Sequence, residues 1–226
     1  MPKYVVVGAS RGIGAAVAEH LYAAGADVVA VSRSPSRTGV WIEADVSKPQ
    51  GIARVLDAIG DQAIDALLYM GGIWEQGAFT DAYSFLDSPV DETLQVIAVN
   101  LTAPILLAQG LAINLSRSSM PRILLMGSMS GLPNTASPEV ANTAAKFGLQ
   151  GAAEALAISL KPLRITVSVI NPDNVATSEV EDDIAEGRFD VQVPIPMADL
   201  LATVDYCLKL SAHSVPSTIA LRQVHS

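Results

Sequence analysis

The 226-residue chain reads as an α/β protein built on a doubly wound parallel sheet of about seven strands with helices on both faces. Three observations predict this. Short β-rich apolar runs alternate with segments of helical length along the whole chain. The runs are almost continuously apolar, as expected of strands buried on both sides by crossover helices. A glycine-rich turn joins the first strand to the first helix.

The elements follow in order. Tyr4 to Val7 is a short strand ended by Gly8; Ile13, Val17 and Leu21 then recur at helical spacing, and Gly25 is placed to end that helix. Val28 to Val31 and Val40-Trp41-Ile42 are the second and third strands. Ser47 is placed to cap the next helix, with Pro49 in its first turn and Gln50 three residues on. Ile64 to Met70 is strand four. Ser88-Pro89-Val90-Asp91 resembles a capping box opening a helix of about two dozen residues. Arg122 to Met126 is a strand, a helix runs from about Glu139 to Leu160, and Ile165 to Ile170 is a further strand. Glu179 to Val193 reads as acidic and irregular; Met197 to Leu210 is helical, and Thr218 to Leu221 is the last strand. No repeat or linker divides the chain, so residues 1–226 are expected to form one domain, with a short lid near 179–196.

Composition limits the function classes. Half of the residues are hydrophobic and the net charge is -9, which disfavours a nucleic-acid surface, because phosphate affinity needs clustered basic residues. A single cysteine, Cys207, makes neither an intrachain disulfide nor a cysteine metal cage and fits a reducing, cytoplasmic setting. Thr93 to Ser116 carries no charge, yet Gln95, Asn100, Thr102, Gln109 and Asn114 make it a poor membrane span; a buried or subunit-interface helix is expected. His20, His213 and His225 are scattered without ligand spacing, so no metal site is expected.

The turn Gly8-Ala9-Ser10-Arg11-Gly12-Ile13-Gly14 lies between strand and helix, the setting of a Rossmann-type dinucleotide site. Gly8 permits the tight turn, Gly12 lets backbone approach a pyrophosphate, and Gly14 permits close helix packing. The helix amino terminus supplies unpaired N–H groups and a positive dipole end. An acid at the end of strand two would accept the ribose hydroxyls of NAD; here Ser32-Arg33 stands instead. Arg33 with Arg11 suits the 2′-phosphate of NADP, so NADP(H) is preferred over NAD(H). A solvated loop charge is the alternative reading of Arg33.

The whole pattern resembles the classical short-chain dehydrogenase/reductase family. The resemblance rests on Gly8, Gly12 and Gly14; on Asp45-Val46 after strand three; on Asn100 in Val99-Asn100-Leu101-Thr102; on Ser128 in Met126-Gly127-Ser128; and on Asn171-Pro172-Asp173-Asn174-Val175-Ala176-Thr177. It implies that Ser10, Arg11, Ile13 and the three glycines meet the cofactor, joined by Ser32, Arg33, Ala44, Asp45 and Val46. Gly71, Lys146, Pro172, Val175 and Thr177 complete that implied set. Asn100, Ser128 and Lys146 fall at catalytic positions of the family, with Asn142 where the family has its tyrosine.

That tyrosine, four residues before the lysine, is where the chain departs from the pattern. The segment reads Asn142-Thr143-Ala144-Ala145-Lys146, and no tyrosine lies between Tyr83 and Tyr206. Strand four also ends in Tyr69-Met70-Gly71-Gly72 in place of Asn-Asn-Ala-Gly, and Asp173 replaces a glycine. In the family, hydride passes to a carbonyl carbon, tyrosine protonates the oxygen, and lysine anchors the nicotinamide ribose. A carboxamide donates hydrogen bonds but is no general acid near neutral pH.

Three readings follow: an NADPH-dependent reductase of a small conjugated enone, with the oxyanion held by Ser128 and Asn142; a carbonyl reductase using a substitute acid such as Tyr69, or a water relayed through Lys146 and Asn100; and an NADP-binding regulator without catalysis. Simpler roles stand beside these. Asn100 bridges backbone segments, Ser128 caps a turn, and Lys146 is a solvated helix charge. Trp74 is a pocket candidate, while Trp41, Met126, Met129 and Met197 read mainly as core. The long, sparsely charged helices Val90 to Leu115 and Glu139 to Leu160 match those that pair subunits in the family, implying a homodimer or homotetramer.

Overall fold

A computed structural model describes residues 1–189 and 191–224. His225 lies outside the described residues. Seven strands form a single sheet: β1 (Lys3–Val7), β2 (Asp27–Ser32), β3 (Val40–Glu43), β4 (Ala66–Tyr69), β5 (Arg122–Met126), β6 (Thr166–Pro172) and β7 (Thr218–Leu221). Their spatial order is β3-β2-β1-β4-β5-β6-β7. Every neighbouring pair is parallel, with Val5 between Val29 of β2 and Leu67 of β4.

Strand alternation divides the core. Val5, Val7, Val29 and Val31 face one layer, where α2 (Pro49–Ile59), α4 (Ala103–Gly110), α5 (Ala112–Ser116) and α6 (Val140–Ser159) pack; α3 (Val90–Ile97) leads into this layer. Val6, Val28 and Ala30 face the other, with α1 (Gly12–Ala23) and α8 (Met197–Lys209) supplying Val17, Leu21, Leu200, Val204 and Cys207. Fully burying each Leu, Ile or Val contributes about 1.5–3 kcal/mol, so both layers are strongly attached. His20 of α1 lies against α8, its Nε2 3.1 Å from Asp205 Oδ1, which is a packing role.

Four local expectations are corrected. Ser47 does not cap α2: Lys48 is the N-cap, and the Ser47 amide and hydroxyl both donate to Asp45 Oδ1. The box at Ser88 does not form either: Pro89 is the N-cap of α3, and the Ser88 hydroxyl donates to the Ser84 carbonyl. The helix beyond it is interrupted by a π-helical turn at Ala98–Thr102 and by Leu111. Finally, the acidic segment contains a helix, α7 (Ser178–Ala185), whose N-cap Thr177 accepts from the Val180 amide. Acids in its first turn suit the positive end of the helix dipole. The stretch Val90–Gly110 is long and apolar enough to cross a bilayer by length and composition; in the fold, its Ala103 and Leu107 pack on the sheet.

Candidate functional site

The carboxyl ends of β1, β4, β5 and β6 open into one cleft of about 810 Å³. It spans the point between β1 and β4 where strand order reverses, the place where open parallel sheets bind ligands.

The turn after β1 is shaped by backbone contact. Gly8 has φ +89°, and a Cβ there would stand 2.6 Å from Gly71 Cα. A Cβ on Gly14 would stand 2.1 Å from the Gly8 carbonyl oxygen, so only glycine lets α1 approach β1 this closely. Gly12 also has positive φ, +53°. The N-cap of α1 is Arg11, and no side chain caps the helix, leaving its first amides facing the cleft. This cradle fits a pyrophosphate. Arg11 and Arg33 are both exposed at the rim. Asp45 is partly desolvated, which pushes its carboxyl up, but the Ser47 hydrogen bonds and the charges of Arg33 and Lys48 outweigh this and lower it. The Ser32 hydroxyl donates to the Ser34 carbonyl at 2.7 Å and stiffens the loop that carries Arg33.

The opposite wall is built from β5, α6 and the loop after β4. Ser128 Oγ accepts from the Ser130 amide at 3.2 Å and from the Ser130 hydroxyl at 3.0 Å. With both acceptor positions engaged, the Ser128 proton is left to donate. Asn171, fully buried at the end of β6, accepts from the Ser128 amide and from Gln150, and so fixes the Ser128 main chain. Lys146 is buried and donates to the Met126 carbonyl at 2.8 Å; desolvation lowers its pKa to about 8. Asn142 lies one helical turn before it, on the same face of α6. Its Nδ2 donates to the Ile73 carbonyl at 3.1 Å, while its buried Oδ1 has no partner among the described residues.

Nearly every residue singled out in the sequence lines the cleft: Ser128, Asn142, Lys146 and the whole implied cofactor set. Asn100 does not. It stands behind the wall in the π-helical turn, with its amide donating to the Ile73 carbonyl at 2.7 Å and accepting from the Ile73 amide at 3.0 Å. This is the bridging arrangement. Tyr69 offers no free phenol: its buried hydroxyl donates to the Val99 carbonyl at 2.6 Å, and burial pushes its pKa up. Thr177 is committed to capping α7. Met126, Met129 and Trp74 line the cleft, whereas Met197 and Trp41 do not.

Sequence reasoning missed Glu75 and gave Asn171, the first residue of the segment running to Thr177, no role of its own. Glu75 is 4% exposed, and its Oε1 accepts from the Ala141 amide at 2.7 Å and the Asn142 amide at 3.1 Å, closing the start of α6. No local pattern marks it, since its partners lie more than sixty residues away in the chain. An acid in an otherwise apolar, glycine-rich loop was the one available signal.

Over the cleft lie α7 and the residues after it. The base of this segment is pinned by a parallel bridge between Val175 and Ile195. Glu179 reaches the phosphate turn, with Oε1 3.7 Å from Arg11 Nη1. Farther along, Phe189 meets Phe79, which in turn packs edge-on against Trp74, with ring centroids 5.2 Å and 4.4 Å apart.

A parallel sheet with an open helix end at its reversal point defines a dinucleotide-binding α/β protein. Residues 3–187 match the family model for short chain dehydrogenases, and the chain belongs to that oxidoreductase family. It is 30% identical over 197 residues to the short chain dehydrogenase prhI of Penicillium brasilianum, covering 82% of this chain and 74% of that one. A metagenomic short-chain oxidoreductase solved in complex with NADP superposes with a TM-score of 0.77 at 26% identity, covering 99% of this chain and 97% of that one. The 4-hydroxyisoleucine dehydrogenase complexed with NADH has a TM-score of 0.82 at 22% identity, covering 98% and 97%. Both of those structures hold a nicotinamide dinucleotide.

Proposed function

We propose that the chain catalyses NADPH-dependent reduction of a small conjugated enone or carbonyl compound, the cofactor supplying the hydride. The observation that carries this reading is the hydrogen-bond state of Ser128. Its oxygen is saturated as an acceptor by Ser130, so its proton is free to donate to a ligand oxygen in the same cleft as Lys146 and the glycine turn. A positioned donor of this kind contributes about 3 kcal/mol to stabilising a developing oxyanion.

In this reading Asn142 occupies the position of the family's catalytic tyrosine. One Asn142 N–H is held by Ile73, and the other remains to support the oxyanion beside Ser128. Because Tyr69 keeps its proton on Val99, no phenol delivers one. An enone suits that chemistry better than a simple ketone, since an enolate held by hydrogen bonds can take its proton on carbon from water. Lys146 holds the ribose end, and Asn100 fixes the loop at Ile73 behind it. Arg33 and Arg11, with no acid at the end of β2, support NADPH over NADH.

The tied amide of Asn142 also favours a second reading, an NADP-binding regulator with little turnover. Exposed apolar side chains on the two long helical segments, including Leu94, Ile113, Phe147 and Ile158, support a homodimer or homotetramer. The segment 179–196 is the lid of the single domain, and the lone buried Cys207 supports a cytoplasmic setting.

The test is NADPH and NADH titration followed by NADPH oxidation over matched enone and ketone panels. Enone turnover with preferred NADPH binding is expected. Ketone turnover alone sinks the enone reading, and tight binding with neither turnover establishes the regulator.

A further inference from the structure

Two buried acceptor atoms, on residues that line the substrate end of the cleft, have no hydrogen-bond partner among the described residues. They are Glu75 Oε2 and Asn142 Oδ1, on residues only 4% and 1% exposed. Both residues line the cleft, and the 3.1 Å bond from the Asn142 amide to Glu75 Oε1 keeps them together. Glu139, the other buried carboxylate with an unpartnered oxygen, does not line it.

The orientation of each pair member is fixed by what its other atom does. Glu75 spends one carboxylate oxygen on two α6 amides and so always presents its other oxygen unpaired, while turning the Asn142 amide round would set its oxygen against the Ile73 carbonyl. An unpaired buried acceptor is unfavourable by far more than an exposed one, and its natural complement is a donor brought by a ligand. Beside the pair stands an aromatic wall of Trp74, Phe79 and Phe189.

We propose that Glu75 and Asn142 form an acceptor pair that selects substrates carrying a hydrogen-bond donor, a hydroxyl or an ammonium group, on an aromatic or apolar body. The proposal rests on reading this cleft as the substrate site. It names a feature of the substrate that the reduction itself does not require.

Three probes of matched shape test it: phenethylamine, phenethyl alcohol and propylbenzene, with binding to the full chain followed by ligand-observed NMR, with and without NADPH. At least one donor-bearing probe is expected to bind about tenfold or more tighter than propylbenzene, the factor a hydrogen bond to a charged group supports. An amine ahead of the alcohol identifies an ammonium-bearing substrate, and the reverse order a hydroxylated one. Glu75→Gln keeps an acceptor for the α6 amides but turns an NH₂ toward the ligand, so a preference for the amine should collapse; a preference for the alcohol, whose oxygen can accept from that NH₂, is read in Asn142→Leu. If Glu75→Gln does not fold, Asn142→Leu reads the other acceptor. Equal binding of all three probes, binding of none, or a donor preference that survives the substitution that reads it overturns the proposal. A failure of NADPH to bind would sink the cofactor assignment while leaving the probe ranking intact.

Discussion

The amino termini of α1 and α6 both face the cleft, and they are finished in opposite ways. The start of α1 has no side-chain cap and is reached through a turn whose Gly8 and Gly14 allow backbone to press on backbone. The start of α6 is already closed, because Glu75 takes the Ala141 and Asn142 amides. A helix end left open is positive and invites an anion; one closed by a carboxylate has spent that positive potential internally. On the proposed reading, the same structural device makes a phosphate site at one end of the cleft and an acceptor-rich, donor-seeking corner at the other. The difference lies in which side of the bond the protein itself supplies.

The largest expected effect breaks the open end. In Gly14→Ala the new Cβ would stand 2.1 Å from the Gly8 carbonyl oxygen, and both atoms belong to backbone that cannot swing away. Separation of α1 from β1 should lower stability by about 3 kcal/mol, the upper part of the overpacking range, and abolish NADPH binding. Urea denaturation and fluorescence titration read the two effects. Unchanged cofactor affinity would show that the turn is not the phosphate cradle.

Next comes the closed end. Ser128→Ala removes the free donor but leaves the glycine turn untouched. Turnover on the best substrate is expected to fall about 10²- to 10³-fold with NADPH affinity unchanged. Full activity in this variant would remove Ser128 from the oxyanion role and leave the corner a binding surface only.

What the sequence made legible follows the same division. The parallel strands and the glycine turn could be read because they depend on local sterics and apolar patterning, as at Gly8, Gly12 and Gly14 or the Val-rich β1 and β2. The wall that carries Ser128 and Asn142 depends on pairings between distant segments. Asn100 and Asn142 both bond to Ile73, Ser128 leans on Asn171, and Glu75 caps a helix more than sixty residues on. No spacing rule announces such partners. The failed cap at Ser47 has the same origin on a smaller scale: its hydroxyl had two competing uses, and the Asp45 carboxylate won.

Lys146 gives a smaller effect with a defined sign. Burial lowers its pKa from 10.5 to about 8, so the unfolded chain holds that proton more firmly than the folded one. Below pH 8 both states are charged and the burial penalty is fully present. Between about pH 8 and 10.5 the folded lysine loses its charge first, and its contribution to stability improves by about 1 kcal/mol per pH unit. Cys207, raised to about 11 from 9.0 by burial, works the other way above pH 9, since its unfolded thiol ionises first. The informative quantity is therefore the difference between wild type and Lys146→Met, measured by urea denaturation across this range. A flat difference would mean that Lys146 is solvated in the folded chain.

The smallest expected effect concerns the boundary between the two ends. Glu179 of α7 stands 3.7 Å from Arg11, beside the open helix end. Both side chains are largely exposed, so their attraction is weak. The carboxylate nevertheless competes for Arg11 with a phosphate bound at this end of the cleft and would repel it. Glu179→Gln should tighten NADPH binding by about two- to fivefold, with the gain shrinking as salt rises. Glu181→Gln, on the same helix but away from the cleft lining, should change it less. If both substitutions act equally, the acidity of α7 works as a diffuse field over the cleft. If Glu179→Gln weakens binding instead, the lid acid holds the bound state closed, and the open helix end is completed by α7 rather than guarded by it.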